Sequence, residues 1–454
     1  MDLAGMFYPE SVAVIGASNK RGKVGNAIVR SLKRKYSGEV FPVNIDEEEI
    51  LGIEAYHTIE EVPDPVDLAI IALPAKIVPD IVEECGSAGV KNLIIVSAGF
   101  SEAGRRDLEL EIKRTVDEHD MNLIGPNCLG IYNPSVELDS IFNPPERQDR
   151  PRSGSIAFLS QSGAFGAAVL DWFSEADIGL SKFVSYGNRV DVDEADLIDY
   201  LSEDEETEFI IFYIEGVKNG REFFEAAERC SKPIMAVKSG RTEEGSSAAT
   251  SHTASLAGKD KVYDGAFKQS DIIRAHSLRE MFNVAKAFSS QPVPTGCNVA
   301  VVTNGGGAGV MAADELVERG LKLSRFSEKT KEKFDKAVEN KIIPEHATLG
   351  NPVDLVGDAT PKRYEVALDM ILQDDEVDAV IVVFLLQSPS IEEDIVDRLD
   401  GLQGDKPIIA VAPGGRYTHE FTAKIEEKGV PVYQTPRDAV QAIWGLCRCC
   451  PDTD

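Results

Sequence analysis

The chain has 454 residues, 77 acidic and 47 basic, for a formal charge of −30. That balance argues against nucleic acid as a partner, since nucleic-acid binding rests on basic patches, and it disfavours an anionic membrane surface. With 43% apolar residues the chain can bury large cores, and its length suits about three domains.

The first ten residues lack a basic start and a long apolar segment, so no signal peptide is read there. The longest apolar run, residues 379–386, is too short to cross a bilayer. A cytoplasmic protein is expected. The seven cysteines (Cys85, Cys128, Cys230, Cys297, Cys447, Cys449 and Cys450) are odd in number and mostly scattered, which argues against a disulfide framework. The Cys447, Cys449, Cys450 cluster leaves metal binding or oxidation open, but its plainest reading is an incidental tail. No metal site is assigned.

From residue 11 to 125, short apolar runs at 12–15, 40–43, 68–73 and 93–96 alternate with helical stretches at 24–35, 77–87 and 105–118. Nearly continuous apolar runs suit strands buried on both faces of a parallel sheet. The pattern predicts a doubly wound domain with ligands at the carboxyl ends of its strands. Its first strand runs into Gly16-Ala17-Ser18-Asn19-Lys20-Arg21-Gly22-Lys23-Val24-Gly25. A Gly-rich turn opening a helix presents N–H groups to phosphate. A dinucleotide fingerprint needs glycine where Ser18 stands. The longer loop, with Lys20, Arg21 and Lys23, favours a phosphate-bearing ligand other than NAD.

Residues 143–152, rich in proline and charge, read as a linker. A second unit follows: a strand at 156–159, the turn Ser160-Gln161-Ser162-Gly163-Ala164-Phe165-Gly166, a helix to Phe173, and strands at 209–214 and 234–237. Glu215 stands just beyond the carboxyl end of its strand, where α/β sites form. Next comes a small, polar stretch at 249–258 with His252 at its centre. A metal would want further ligands at short spacing, and none lies between Ser246 and Lys259. A nucleophile that accepts a phosphoryl group wants small hydroxyl-bearing neighbours, which this stretch supplies. A loop histidine bonded to a backbone carbonyl is the alternative.

Residues 289–296 read as a second linker. A third unit opens with a strand into Thr303-Asn304-Gly305-Gly306-Gly307-Ala308-Gly309, with further strands at 380–385 and 408–411. This turn echoes the earlier one: Ser160 falls on Thr303, Gln161 on Asn304, Gly163 on Gly306 and Gly166 on Gly309. Two helix N-termini facing one anion add partial charges of about half a unit each. The expectation is a phosphate held between two domains, with a histidine delivered to it.

Together these residues resemble the α subunits of ADP-forming acetyl-CoA synthetases (acetate–CoA ligases), in the nucleoside-diphosphate-forming acyl-CoA synthetase family that includes succinyl-CoA synthetase. The resemblance spans essentially the whole chain. It rests on Ser251-His252-Thr253-Ala254 with Ala257-Gly258, Ser160-Gln161-Ser162-Gly163, Tyr213-Ile214-Glu215-Gly216, Gly125-Pro126-Asn127-Cys128 and Asn351-Pro352-Val353-Asp354-Leu355. It implies an α/β chain of three doubly wound domains: a Rossmann-like CoA-binding domain (1–127), then two flavodoxin-like CoA-ligase domains (128–291, with the phosphohistidine loop, and 292–454). It places CoA at Gly16, Ala17, Ser18, Lys20, Val24, Gly25, Asn44, Leu73, Pro74, Ser97, Ala98, Gly99 and Asn127. It makes His252 the phosphoryl carrier and Glu215 the acid that steadies it. Phosphate falls to Ser160, Gln161, Ser162, Gly163, Ala164, Asn304, Gly305, Gly306 and Gly307.

The implied reaction turns acyl-CoA, ADP and phosphate reversibly into acid, CoA and ATP. The family's nucleotide site is an ATP-grasp domain, and the roughly twenty residues after Tyr433 are too few for one. The resemblance therefore implies a separate β subunit carrying ADP/ATP with Mg, in an α2β2 assembly. A nicotinamide-dependent oxidoreductase and a non-catalytic CoA-sensing regulator are the alternatives; Ser18 counts against the first, and intact His252 and Glu215 against the second.

Overall fold

The apolar runs are where the sheets form. The computed structural model describes residues 1–242, 244–245 and 260–450. It divides into two units, residues 1–276 and 277–454.

The first unit holds two sheets. In the first, β1 (Ser11–Ile15), β2 (Glu39–Val43), β5 (Leu68–Ile71), β6 (Asn92–Ile95) and β7 (Asn122–Ile124) are all parallel, in the order β2-β1-β5-β6-β7. A small hairpin, β3 (Glu49–Ile50) and β4 (Ile53–Glu54), stands apart. Every residue of β1, β5 and β6 is buried. That is why their sequences are apolar without alternation: helices cover both faces. The strand expected over 68–73 ends at Ile71, because the chain turns towards Pro74, which has no N–H for a ladder.

The second sheet has β8 (Gly130–Asn133), β9 (Leu138–Asp139), β10 (Ser153–Ser160), β11 (Leu180–Ser185), β12 (Phe209–Ile214), β13 (Ile234–Lys238) and β14 (Ile273–Ala275). Its order is β14-β13-β12-β10-β11-β8-β9, with β8 antiparallel to β11 and β9 antiparallel to β8. β11 is wholly buried yet contains Lys182. The Lys182 ammonium meets Glu206 at 2.6 Å and Asp204 at 3.2 Å, and lies over the Tyr8 ring at 4.9 Å. The Tyr8 hydroxyl donates to Glu206 at 2.9 Å. Leu3, Met6 and Phe7 are fully buried, and Phe7 stacks on Tyr200 at 4.8 Å. The Asn133 amide donates to the Phe7 carbonyl at 2.9 Å.

The stretch 143–152 is no free linker. Arg150 Nε binds buried Asp139 at 3.0 Å, and its two terminal nitrogens donate to the carbonyls of Gln148 and Asn143 at 2.9 Å each. A guanidinium closing on two nearby carbonyls and one carboxylate needs no hydrophobic pattern, so composition hid this packing.

The second unit has β15 (Asn298–Thr303), β16 (Lys322–Leu323), β17 (Val353–Asp354), β18 (Ala379–Val383), β19 (Ile408–Val411) and β20 (Val432–Tyr433), all parallel, with β17 paired to β15 off the main order β16-β15-β18-β19-β20. The helix Leu278–Phe288 packs here: the Asn283 amide donates to Asp438 at 3.1 Å and Gln441 at 2.8 Å, both on the helix Pro436–Arg448. The stretch 289–296 is held in place as well, since Gln291 accepts from the Ile408 N–H at 2.7 Å and donates to the Gly429 carbonyl at 2.6 Å. Among the described residues, no helix is long and apolar enough to cross a membrane.

With β17 set aside, each of the three sheets thus carries five parallel strands in one relative order, 2-1-3-4-5. That order reverses between the first and third strands: β1 and β5, β10 and β12, β15 and β18. Ligands of open α/β sheets bind beyond the carboxyl ends at that reversal.

Candidate active site

At the first reversal, Gly16 has φ +90°, and a Cβ there would stand 2.7 Å from the Ala72 carbonyl oxygen. A Cβ on Gly25 would lie 2.0 Å from the Gly16 carbonyl oxygen. These two glycines let the helix Val24–Lys35 sit directly on the turn, with Val24 exposed and Gly25 buried. The Asn44 amide fixes the Ala17 carbonyl at 2.7 Å, and the Asn26 amide fixes that of Ser18 at 2.8 Å. Lys20 is exposed, its N–H bonded to the Ser18 hydroxyl at 3.1 Å. The Glu47 carboxylate lies against this turn, accepting from the Asn19 N–H at 3.3 Å. Leu73 borders Gly16, and Pro74 next to it is exposed. The expected Gly16, Ala17, Ser18, Asn44 and Leu73 therefore share one sheet edge.

Ser97, Ala98 and Gly99 follow β6. Here Glu102 accepts from the Gly99 and Phe100 N–H groups and from the Asn188 amide. Burial opposes its charge, but those donors outweigh burial and hold its carboxyl below the usual range.

At the second reversal, Ser160 is fully buried, and its hydroxyl donates to the Ser162 carbonyl at 2.7 Å. Ser162 caps the helix Gly163–Glu175 by accepting from the Phe165 N–H at 3.3 Å. The N–H groups of Gly163 and Ala164 are the helix's first two and have no partner inside it. Gln161 uses its side-chain oxygen to accept from the Glu215 N–H at 2.9 Å and the Gly216 N–H at 3.1 Å. Its amide oxygen is thus committed to placing Glu215, which is 8% exposed.

Among the described residues, a cleft of about 900 Å³ joins these parts. Ala98 and Asn127 line it from the first sheet; Gln161, Ser162, Gly163, Ala164 and Glu215 line it from the second. The Gly16–Gly25 turn and Asn44, Leu73 and Pro74 do not line this cleft, and Ser160 lies beneath it. His252 lies outside the described residues.

Two cleft residues went unnoticed in the sequence. Asn188 accepts from the Asn127 amide at 3.2 Å and donates to Glu102 at 2.7 Å, bridging the two sheets. Arg189 is buried, with φ +58°. It donates to Glu194 and to the Gly216 carbonyl, both at 2.5 Å. Burial opposes its charge, but Glu194 outweighs burial and keeps the guanidinium protonated. Both residues follow β11, a strand whose Ser181, Lys182 and Ser185 hid it. Lys238, at the end of β13, is buried, and burial pulls its ammonium below the usual range, with Asp260 opposing.

At the third reversal, in the other unit, the earlier arrangement recurs in bonds. The Thr303 hydroxyl donates to the Gly305 carbonyl at 3.0 Å, as Ser160 does to Ser162. The Asn304 oxygen accepts from the Leu385 N–H at 2.8 Å, as Gln161 does from Glu215. A Cβ on Gly309 would stand 2.9 Å from Thr303, and one on Gly166 would stand 3.2 Å from Ser160. Gly306 and Gly307 open the helix Gly306–Glu318, as Gly163 and Ala164 open theirs. One difference stands out: the Asp354 carboxylate would lie 2.7 Å from a Cβ on Gly306.

Three family models match the chain in succession: a CoA binding domain over residues 10–134, a succinyl-CoA ligase like flavodoxin domain over 153–288, and a Ligase-CoA domain over 299–446. The acetate–CoA ligase [ADP-forming] II subunit alpha of Pyrococcus furiosus is 40% identical over 450 residues, covering 97% of this chain and 96% of that one. The acetate–CoA ligase [ADP-forming] of Methanocaldococcus jannaschii is also 40% identical, over 96% of this chain but 62% of its own length. A solved structure of the dinucleotide forming acetyl-coenzyme A synthetase 1 of Ca. Korarchaeum cryptofilum, in complex with phosphate and ADP, superposes with a TM-score of 0.92 at 36% identity, covering 98% of this chain and 96% of that one.

Proposed function

Because the chain belongs to the family of ADP-forming acetate–CoA ligase α subunits, we propose that it converts acyl-CoA, ADP and phosphate reversibly into acid, CoA and ATP, as one subunit of a two-subunit ligase. The observation that carries this reading is the shared cleft. It sets the Ala98 and Asn127 edge of the CoA-binding domain beside the free helix N–H groups of Gly163 and Ala164, with Glu215 at its wall.

In the first step a phosphate oxygen attacks the thioester carbonyl, and the CoA thiolate leaves. The Gly163 and Ala164 N–H groups, with the partial positive charge of their helix, hold the phosphate there. Arg189 adds a fixed cation at the cleft wall. In the second step a neutral His252 nitrogen attacks the phosphorus of the acyl phosphate, and the carboxylate leaves. Glu215 orients the imidazole by accepting its other ring N–H. The phosphoryl group then passes to ADP with Mg on an ATP-grasp β subunit, in an α2β2 assembly. The naming of the Pyrococcus relative as a subunit alpha supports a separate partner. Gly305 to Gly307 supply a second phosphate cradle of the same build.

The test is ATP formation from acetyl-CoA, ADP and phosphate by the pure chain, with and without a separately expressed ATP-grasp subunit. Activity is expected only in the pair. Sustained ATP synthesis by the lone chain would overturn the two-subunit reading.

A further inference from the structure

One cysteine pair takes no part in the reaction above. Cys447 is 1% exposed on the helix Pro436–Arg448, and its thiol donates to the Gly296 carbonyl at 3.6 Å. The next residue, Cys297, is half-buried just ahead of β15 and packs against the same apolar cluster that holds Cys447. Both pack in one apolar cluster of the second unit, although 149 positions of chain lie between them. Cys450 is close by, its N–H donating to the Cys447 carbonyl at 3.3 Å. Cys85 and Cys128 differ: each is buried in the first unit, and burial pushes each thiol up to about 12.

We propose that Cys297 and Cys447 form a reversible dithiol–disulfide site, oxidised by hydrogen peroxide. The Cys297 thiolate attacks one peroxide oxygen, the O–O bond breaks, and hydroxide leaves to become water on taking up a proton. Cys297 is then a sulfenic acid. Cys447 gives up its proton, and its sulfur attacks the Cys297 sulfur. The sulfenic oxygen leaves as a second water. Two electrons pass from the sulfurs to peroxide, and one S–S bond replaces two S–H bonds.

Cys297 is the attacking member because it is the more exposed. The neighbouring Cys447 thiol pulls its own down to about 7 against burial and Asp378, with Arg448 and Lys322 assisting. Cys447 is pushed up by the same contact and by burial, which suits the resolving partner. The bond ties the start of β15 to the end of the last described helix, so it closes nearly the whole second unit into a covalent loop.

The experiment treats the full chain with hydrogen peroxide, blocks residual thiols, digests it without reductant and maps the peptides by mass spectrometry. A Cys297–Cys447 linked peptide, lighter by two hydrogens and reversed by dithiothreitol, is expected, with Cys85 and Cys128 still reduced. The oxidised chain should melt several degrees higher, since a long closed loop restricts the unfolded state. Cys297→Ser, at a half-exposed position that tolerates serine, should slow oxidation of Cys447 at least about tenfold. Cys450→Ser should leave the link intact. No linked peptide in the wild-type chain, a Cys447–Cys450 link in its place, or unchanged Cys447 oxidation in folded Cys297→Ser would each overturn the proposal.

Discussion

The side-chain oxygen of Gln161 accepts the backbone N–H of Glu215 at 2.9 Å, so the residue after one strand fixes the residue after its neighbour. Gln161→Leu leaves the Glu215 and Gly216 donors unpaired in a buried site, at a cost of about 1–3 kcal/mol each. Expected are a melting point lower by several degrees and phosphoryl transfer to His252 lower by about tenfold or more as Glu215 drifts. Gln161→Glu keeps an acceptor and should recover most of the stability. Calorimetry and a phosphate-labelling time course on both variants check this; equal behaviour of the two would remove the positioning role.

His252→Ala should abolish an acid-labile, base-stable phosphoryl label while CoA affinity stays unchanged. Glu215→Gln should slow labelling without removing it. Normal labelling of the alanine variant would make another residue the carrier.

The two Gly-rich helix starts give separable outcomes. A Cβ on Gly163 meets Leu129 at an ordinary 3.5 Å, so Gly163→Ala should fold and keep most activity. Gly163→Asp puts a negative charge at a helix N-terminus, which favours the helix by about 0.3–1 kcal/mol but repels phosphate. Its melting point should hold or rise while labelling falls by about 10²-fold or more. In the second unit, Gly307 has open space and Gly306 faces Asp354. Gly307→Asp should depress labelling at constant stability, whereas Gly306→Asp should also lower the melting point. A folded Gly307→Asp chain that labels at the normal rate would show that this loop holds no phosphate.

Lys182 is a fully buried cation inside β11. Lys182→Met leaves Asp204 and Glu206 without their cation and should cost roughly 2–4 kcal/mol, below the full penalty of a broken buried pair because Glu206 is partly exposed. The pH dependence follows from the shifts. The ammonium is raised although burial opposes it, because Glu206, Tyr8 and Asp204 favour the charge, so its contribution is complete below about 10.4 and fades above its folded value. The Glu206 carboxyl is lowered although burial opposes it, through Lys182 and Tyr8, so its contribution is complete above about 4.3 and fades below its folded value. The difference between wild type and variant should therefore be largest between these limits. Melting curves across pH check it, and a difference that does not vary with pH would sink the assignment.

Much of the sheet framework was legible because β1, β5, β6, β12, β13 and β18 are buried apolar runs. The turn after β10 could be matched to the turn after β15 from residue type alone, and the bonds of Ser160 and Thr303 give that match a physical basis. The backbone bonds accepted by the side-chain oxygens of Gln161 and Asn304 were not legible, because sequence does not show that a neighbouring strand ends within reach. Asn188 and Arg189 escaped notice for a related reason. Their strand holds Ser181, Lys182 and Ser185, polar groups satisfied in turn by Thr207, by Asp204 and Glu206, and by the Leu129 N–H, and these erase the apolar signature. The anchoring of residues 143–152 by Arg150 was likewise invisible in composition.

The buried Leu3, Met6 and Phe7 and the Tyr8 hydroxyl make the amino-terminal octet part of the second sheet's flank. Met1 is 63% exposed, so a purification tag fused there points into solvent and should be harmless. Trimming the chain to Ser11, where the first strand starts, would strip the Phe7 ring from Tyr200 and the Tyr8 hydroxyl from Glu206. Limited proteolysis at this end should therefore inactivate the protein by loosening β11 and the loop that carries Asn188 and Arg189, a region more than 170 residues away in sequence.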